Sequence, residues 1–306
     1  MPSNQNPLGA LPARFRRERV LIVGCGDVGL RAARLLRPHV RLLALTSSPE
    51  RRAELRAHGL TPLSGNLDQP ATVRRLGGLA TRVLHLAPPP GEGWDDPRTR
   101  ALTQALRRRS LPAMLVYGST SGVYGDCDGA WVNEARPARP HTPRAQRRVA
   151  AEQSVRFYGR SAGASVSVLR IPGIYAPDRE GGTPRERLRK GTPVLTVEDD
   201  VYTNHIHADD LARACVLALW RGAPQRVYNV NDDTVLKMGD YFDLAADLYG
   251  LPRPPRVPRS TAQDKLPLML LSFMSESRRM DNTRLKKELR VALRYPTVRE
   301  GLLATG

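Results

Sequence analysis

The stretch Arg19–Gly29, RVLIVGCGDVG, decides the fold. Four apolar residues, Val20 to Val23, run straight into Gly24, Gly26 and Gly29, and a Leu/Ala/Arg stretch with helical spacing follows. Strand, tight turn and helix in that order are the context in which G-x-G-x-x-G holds a dinucleotide. Each glycine has its own task. Gly24 lets the chain turn sharply off the strand, Gly26 leaves the backbone open to a pyrophosphate, and Gly29 lets the helix lie close to the strand. The N-terminus of the helix that follows turns unpaired N–H groups and a partial positive charge toward the phosphates. Gly24, Gly26, Asp27, Val28 and Gly29 are therefore the expected cofactor loop.

Outward from this loop, strands and helices alternate. Strands are expected at Val40–Leu45, Leu60–Leu63, Arg82–Leu86, Ala113–Tyr117 and Ser165–Ile171. Between them come helices at Leu30–Arg37, Pro49–His58, Asp68–Leu76, Pro97–Arg109 and Pro143–Tyr158, with a loop-rich segment at Gly118–Thr142. Such alternation implies right-handed βαβ units and a parallel sheet covered on both faces. The fold class is α/β: a Rossmann-type doubly wound parallel sheet with a smaller C-terminal substrate lobe. Residues 1–18, with Pro2, Pro7 and Pro12, read as a flexible leader, 19–171 as the dinucleotide-binding domain and 172–306 as the lobe. In the lobe, helices are expected at Asp209–Trp220, Lys237–Tyr249 and Asp281–Leu289, and the strand Arg226–Val230 returns to the main sheet.

Composition narrows the function. Cys25, Cys127 and Cys215 are far apart and form no C-x-x-C pair, which argues against a zinc site or a disulfide framework and for a reducing, cytoplasmic setting. No apolar run approaches the ~18 residues of a membrane span. The net charge of +18 comes from arginines scattered along a chain with 5% aromatics. That pattern is a solvated basic surface that favours anionic ligands, dinucleotides included, and not a nucleic-acid groove. His205 and His207 lie on one side of a strand, but no third ligand accompanies them, so no metal is expected.

At Tyr117–Gly125, YGSTSGVYG, the sequence resembles the S-S-x-x-V-Y-G segment of the extended short-chain dehydrogenase/reductases, the NAD-dependent epimerase/dehydratase family. Gly65-Asn66-Leu67 resembles that family's G-D-L beside the adenine, and His85-Leu86-Ala87 its H-x-A after the fourth strand. Arg170–Tyr175, Asn204–Asp210 and Asn282–Leu289 resemble, in order, the segments that build and close its substrate lobe. The resemblance implies that Asn66, Leu67 and Ala87 line the cofactor and that Thr120 binds the reacting oxygen. It also implies a Tyr-x-x-x-Lys pair followed four residues later by glutamate. With Glu152 as that glutamate, Arg144 occupies the tyrosine position and Arg148 the lysine position. This departure resembles the atypical YeeZ-like branch of the family.

The chemistry left follows from the residues. Guanidinium stays protonated, so Arg144 cannot serve as acid or base. Arg148 can supply fixed charge near a nicotinamide ribose, for the cofactor and for catalysis alike. Thr120 can bind a carbonyl, and Tyr124 is the nearest alternative proton donor, with Tyr175 and His207 more remote, although packing the loop against the sheet is the commoner role for a tyrosine at such a place. Asp209 and Asp210 are expected at the N-terminus of the helix they begin. The second strand ends in Leu45-Thr46-Ser47-Ser48 without the acid that usually holds a ribose 2′-OH, while Ser47 and Arg51 suit a 2′-phosphate. NADP is thus expected over NAD. Two classes stay open: an NAD(P)-dependent oxidoreductase or epimerase-like enzyme acting on a small polar, sugar- or nucleotide-linked substrate, and a non-catalytic NAD(P)-binding regulator of the NmrA-like kind. The resemblance further implies a homodimer through the helices at Pro97–Arg109 and Pro143–Tyr158, which many members of the family pair into a four-helix bundle.

Overall fold

The structure is a computed structural model that describes residues 18–265, 271 and 274–304; residues 1–17 of the expected leader lie outside the described residues. Seven strands form the main sheet: β1 (Arg19–Val23), β2 (Arg41–Thr46), β3 (Thr61–Ser64), β4 (Arg82–His85), β5 (Met114–Thr120), β6 (Val166–Ile171) and β7 (Arg226–Asn229). Their order is β7-β6-β5-β4-β1-β2-β3, and every neighbouring pair is parallel. The strand order reverses between β1 and β4, where Val23 pairs with His85. The carboxyl ends of these two strands open the crevice in which such sheets take ligands.

The strands are apolar throughout because helices cover both faces. Successive side chains point to opposite faces. Val20 and Ile22 of β1, Val116 of β5 and Leu169 of β6 face a core shared with α1 (Asp27–Leu36) and α5 (Ala208–Arg221). Leu21, Val23, Leu115 and Val168 face α3 (Pro97–Leu106) and α4 (Pro143–Ala162) on the other side. Helix α2 (Arg51–Ala57) connects β2 to β3. The α4 helix is set at both ends: Thr142 Oγ1 accepts from Ala145 N–H at 3.2 Å, Pro143 takes the first position, and Gly163 ends it at φ +71°. It is continuous through Tyr158 and on to Ala162, so Arg144, Arg148 and Glu152 succeed one another at intervals of about one turn. Phe157 and a groove lined by Gln104, Arg107 and Gln153 lie exposed between α3 and α4.

The lobe has its own apolar cluster, in which Tyr175, Leu188, Leu195 and Val201 pack against Phe242 and Ala245 of α6 (Met238–Tyr249). Its strands are two or three residues long. His205–His207 runs parallel to Gly173–Tyr175, Arg256–Val257 to Val194–Leu195 and Arg279–Met280 to Trp131–Val132. Several elements differ from expectation. β5 extends through Gly118 to Thr120 instead of ending at Tyr117, because Ser119 and Thr120 continue the pairing with Arg170 and Ile171. The first helix begins at Asp27, and the last expected helix shrinks to Thr283–Lys287. No helix among the described residues is long and apolar enough to cross a membrane.

Candidate functional site

At the carboxyl end of β1, Gly24 has φ +85°, and a Cβ there would lie 2.2 Å from Ala87 N and 2.5 Å from Ala87 Cα. Only glycine fits, because the β4 end presses on the turn; Ala87 N–H also donates to Val23 O at 3.0 Å. At Gly29 a Cβ would meet Gly24 O at 3.2 Å and Ile22 Cγ2 at 3.3 Å, so the helix packs directly on its strand. Gly26 is different: it is exposed, and a Cβ there would meet nothing within 4 Å. It precedes α1 with no side-chain cap, so the first amides of α1 face that space unpaired. An open backbone at a helix N-terminus fits a diphosphate.

Around this loop the candidate cofactor residues divide. Val28 is half-buried beside it and Leu67 is buried at the β3 end. Arg51 donates to Cys25 O at 2.9 Å and pairs with Glu54 at 3.1 Å, which draws its guanidinium across the glycine turn; Ser47 lies exposed nearby in sequence. Two side chains are otherwise engaged. The Asn66 carboxamide oxygen accepts from Asp68 N–H at 3.0 Å, closing a local turn. The Asp27 carboxylate is held by Arg31 at 2.9 Å and by Arg179. Arg31, 7% exposed, also reaches Asp209 at 2.6 Å and Asp178 at 2.7 Å, tying the cofactor loop to the lobe. The i, i+4 spacing of Asp27 and Arg31 was the visible signal for this knot.

The second half of the site lies at the β5 end. Arg148 Nη1 donates to Gly118 O at 2.7 Å and to Tyr117 Oη at 3.1 Å, two residues short of Thr120. The Thr120 Oγ1 accepts from Gly122 N–H at 3.3 Å, which leaves its own proton free to donate. Ser119 is buried and donates to Glu152 Oε1 at 2.6 Å; Glu152 in turn holds Arg170 through contacts of 2.9 and 3.2 Å. Beneath Tyr117 lies His85. Thr99 Oγ1 gives its one proton to Asp96 at 2.6 Å, so His85 Nε2, 2.8 Å away, is the donor to Thr99. Full burial, then the charge of Arg148, pushes the His85 pKa down to about 3 and keeps the ring neutral.

Tyr124 corrects the expectation of a proton donor in the cleft. It is 1% exposed, its hydroxyl donates to Asn229 Oδ1 at 2.6 Å, and burial raises its pKa. Arg170 stacks on its ring at 4.6 Å, so Tyr124 packs the loop against the sheet. Tyr175 is likewise buried, with its hydroxyl 3.3 Å from Thr297 O and its pKa raised by burial. His207 caps α5 by accepting from Asp209 N–H at 3.2 Å. Asp210 also departs from expectation: its two oxygens accept the Arg294 and Tyr295 amides at 2.8 Å each, clamping the later chain. Among the described residues no group of three or more His, Cys, Asp and Glu side chains could hold a metal ion.

Residues missed in the sequence complete the picture. Arg147 is buried and donates to Gly93 O at 2.8 Å, tethering the segment after β4 that carries the exposed Trp94. Arg179, reaching from the lobe to Asp27, carried no sequence signal.

Comparison with known proteins agrees with this architecture. A solved structure of a functionally unknown conserved protein from Silicibacter pomeroyi DSS is 33% identical, covers 94% of this chain and 97% of its own, and superposes with a TM-score of 0.80. The UDP-glucose 4-epimerase of Thermotoga maritima, solved with UDP-glucose, is 18% identical over 93% of this chain and 96% of its own, with a TM-score of 0.76. The UDP-glucose 4-epimerase of Thermus thermophilus, solved with NAD, is 22% identical with the same coverage and a TM-score of 0.72. These last two likenesses speak to the fold. The chain spans 49%, 24% and 52% of the length of the first curated relatives it matches. The sequence profile of the NAD dependent epimerase/dehydratase family matches residues 20–231, so this chain belongs to that family.

Proposed function

We propose that the protein is an NAD(P)-dependent oxidoreductase or epimerase-like enzyme of atypical mechanism, acting on a small polar, sugar- or nucleotide-linked substrate. The observation that carries this reading is the open space at Gly26 in front of the unpaired amides of α1. Gly24, Gly26, Gly29 and the Asp27 and Val28 backbone would hold the diphosphate, and Leu67 and Ala87 would flank the rest. When bound, the nicotinamide supplies hydride exchange. Arg148, fixed on Gly118 O, would hold positive charge beside it, and Thr120 would donate to the reacting oxygen. No tyrosine–lysine relay operates: Arg144 keeps its proton near neutral pH, and general acid–base help worth about 10²–10⁴-fold is missing for ordinary family substrates. The buried Tyr124 favours a second reading, a redox-responsive binder without turnover, which consumption of NADPH with a carbonyl substrate would eliminate.

The test is thermal stabilisation by dinucleotide. Ligand at 100 times Kd adds about 2.7 kcal/mol. Gly26→Val should abolish that gain and leave the free protein's melting unchanged, since its side chain enters open space. Full stabilisation of the variant would put the site elsewhere. Arg51 and Ser47 support NADP(H) over NAD(H), and larger stabilisation by NADH than by NADPH at equal concentration would refute that preference.

A further inference from the structure

One face of α4 carries Arg144, Arg147 and Arg148, at spacings of three and four residues that bring side chains together on a helix. Two are anchored on backbone carbonyls, Arg147 on Gly93 and Arg148 on Gly118. Arg144 makes no hydrogen bond or ion pair with any described residue, and none of the three has a salt-bridged carboxylate among the described residues. Some arginines elsewhere in the chain have found one: Arg98 pairs with Asp68, Arg170 with Glu152, and Arg31 with three aspartates. Glu152, one turn beyond Arg148, is consumed by Arg170 and Ser119. Like charges four residues apart destabilise a helix. Arg144 is exposed as a residue, and desolvation of its guanidinium by the packed surroundings, then repulsion by Arg148 and Arg147, hold its pKa below the ordinary guanidinium value.

This uncompensated charge lies at the carboxyl edge of the sheet. A methyl group built on Gly122 would sit 3.7 Å from Thr120 Cγ2 and 3.8 Å from Ala145 Cβ. Gly122, beside Thr120, therefore packs on Ala145 in the first turn of α4, the residue that follows Arg144. A guanidinium without a partner among the described residues, one helical turn from a second and near a hydroxyl with a proton to donate, suits a carboxylate or phosphate.

We propose that Arg144, together with Arg148 and the Thr120 hydroxyl, binds a carboxylate or phosphate group of the second molecule in the cleft, which makes the substrate an anionic carbonyl or hydroxy compound. The inference rests on the dinucleotide reading above and names the substrate class for that same site. The arginine that stands where proton transfer is lost then serves recognition: it fixes the anion and so presents the reacting oxygen to Thr120.

The test is titration calorimetry of the whole protein saturated with NADP⁺, using malonate, inorganic phosphate and uncharged malonamide as probes. Malonate or phosphate should bind and malonamide should not; which of the two binds more tightly assigns the carboxylate or the phosphate source. Arg144→Gln should weaken the anion about tenfold or more, the size of a charge-assisted hydrogen bond. Arg144→Lys should recover part of that loss, and NADP⁺ affinity should stay at the wild-type value in both. Equal anion affinity in wild type and Arg144→Gln would mean adventitious binding to the basic surface and would overturn the proposal, as would equal binding of malonamide. Failure of the wild type to bind dinucleotide would instead refute the cofactor reading, and with it this inference.

Discussion

Replacing Glu152 by glutamine keeps the shape of a buried side chain and removes its charge, leaving Arg170 alone. Arg170 is 4% exposed, bonded twice to Glu152 and stacked on Tyr124, so water has no route to replace the carboxylate. Removing one partner of a buried pair costs about 3–5 kcal/mol. Glutamine retains one acceptor oxygen for Ser119 or Arg170, which places the cost near the lower value. With an unfolding entropy of about 2.1 cal/mol/K per residue, the whole chain gives about 0.6 kcal/mol/K, so Tm should fall by about 5 °C. Scanning calorimetry measures this directly. The double variant Glu152→Gln with Arg170→Met removes both charges and should regain most of the loss, because an apolar replacement of similar volume does not need the pair. A single variant that melts within about 1 °C of wild type, or a double variant no better than the single, would refute the reasoning.

Two further outcomes are expected. Burial lifts the Asp232 carboxyl to about 7, so between its ordinary range and that value the folded chain keeps a proton that the unfolded chain releases, and stability falls as pH rises through this window. Asp232→Asn should therefore raise Tm at pH 8 and leave it nearly unchanged near pH 4; equal shifts at both would contradict the assignment. Arg31→Met leaves Asp178 and Asp209 without this guanidinium and Asp27 with Arg179 alone, and amide exchange around residues 173–183 should quicken by about tenfold, equivalent to about 1.4 kcal/mol. Unaltered exchange there would mean that the lobe is held by other contacts.

The sheet was legible because its signal is repetitive: apolar runs such as Val20–Val23 alternate with helices of clear spacing, and each repeats the same unit. The glycine turn was legible because each glycine answers a local demand. In the lobe the helices expected at Asp209–Trp220 and Lys237–Tyr249 were legible too, but the short strands were not, since strands of two residues, such as Val194–Leu195, have no period to read. Which of its two roles Tyr124 takes was illegible for a related reason. Its burial depends on Asn229 and Arg170, which are remote in sequence, and nothing near YGSTSGVYG announces them. Arg147 and Arg179 were hidden by abundance; against so many arginines, which are structural and which are free is decided only by where their partners fall.

The packing of α1 on α5 has a consequence for how this chain is made. Ala32, Ala33 and Leu36, which follow the glycine loop, are covered by Leu211, Ala214 and Cys215 from far along the sequence. At synthesis rates of about 5–20 residues per second, roughly 10–40 s separate the emergence of the two helices from the ribosome. For that interval the cofactor loop is attached to a helix whose apolar side has no cover, and β6 waits with an open edge for β7. Newborn chains should therefore depend on a holding chaperone until the lobe has been threaded through, and slowing translation beyond residue 171 should lower the yield of native protein.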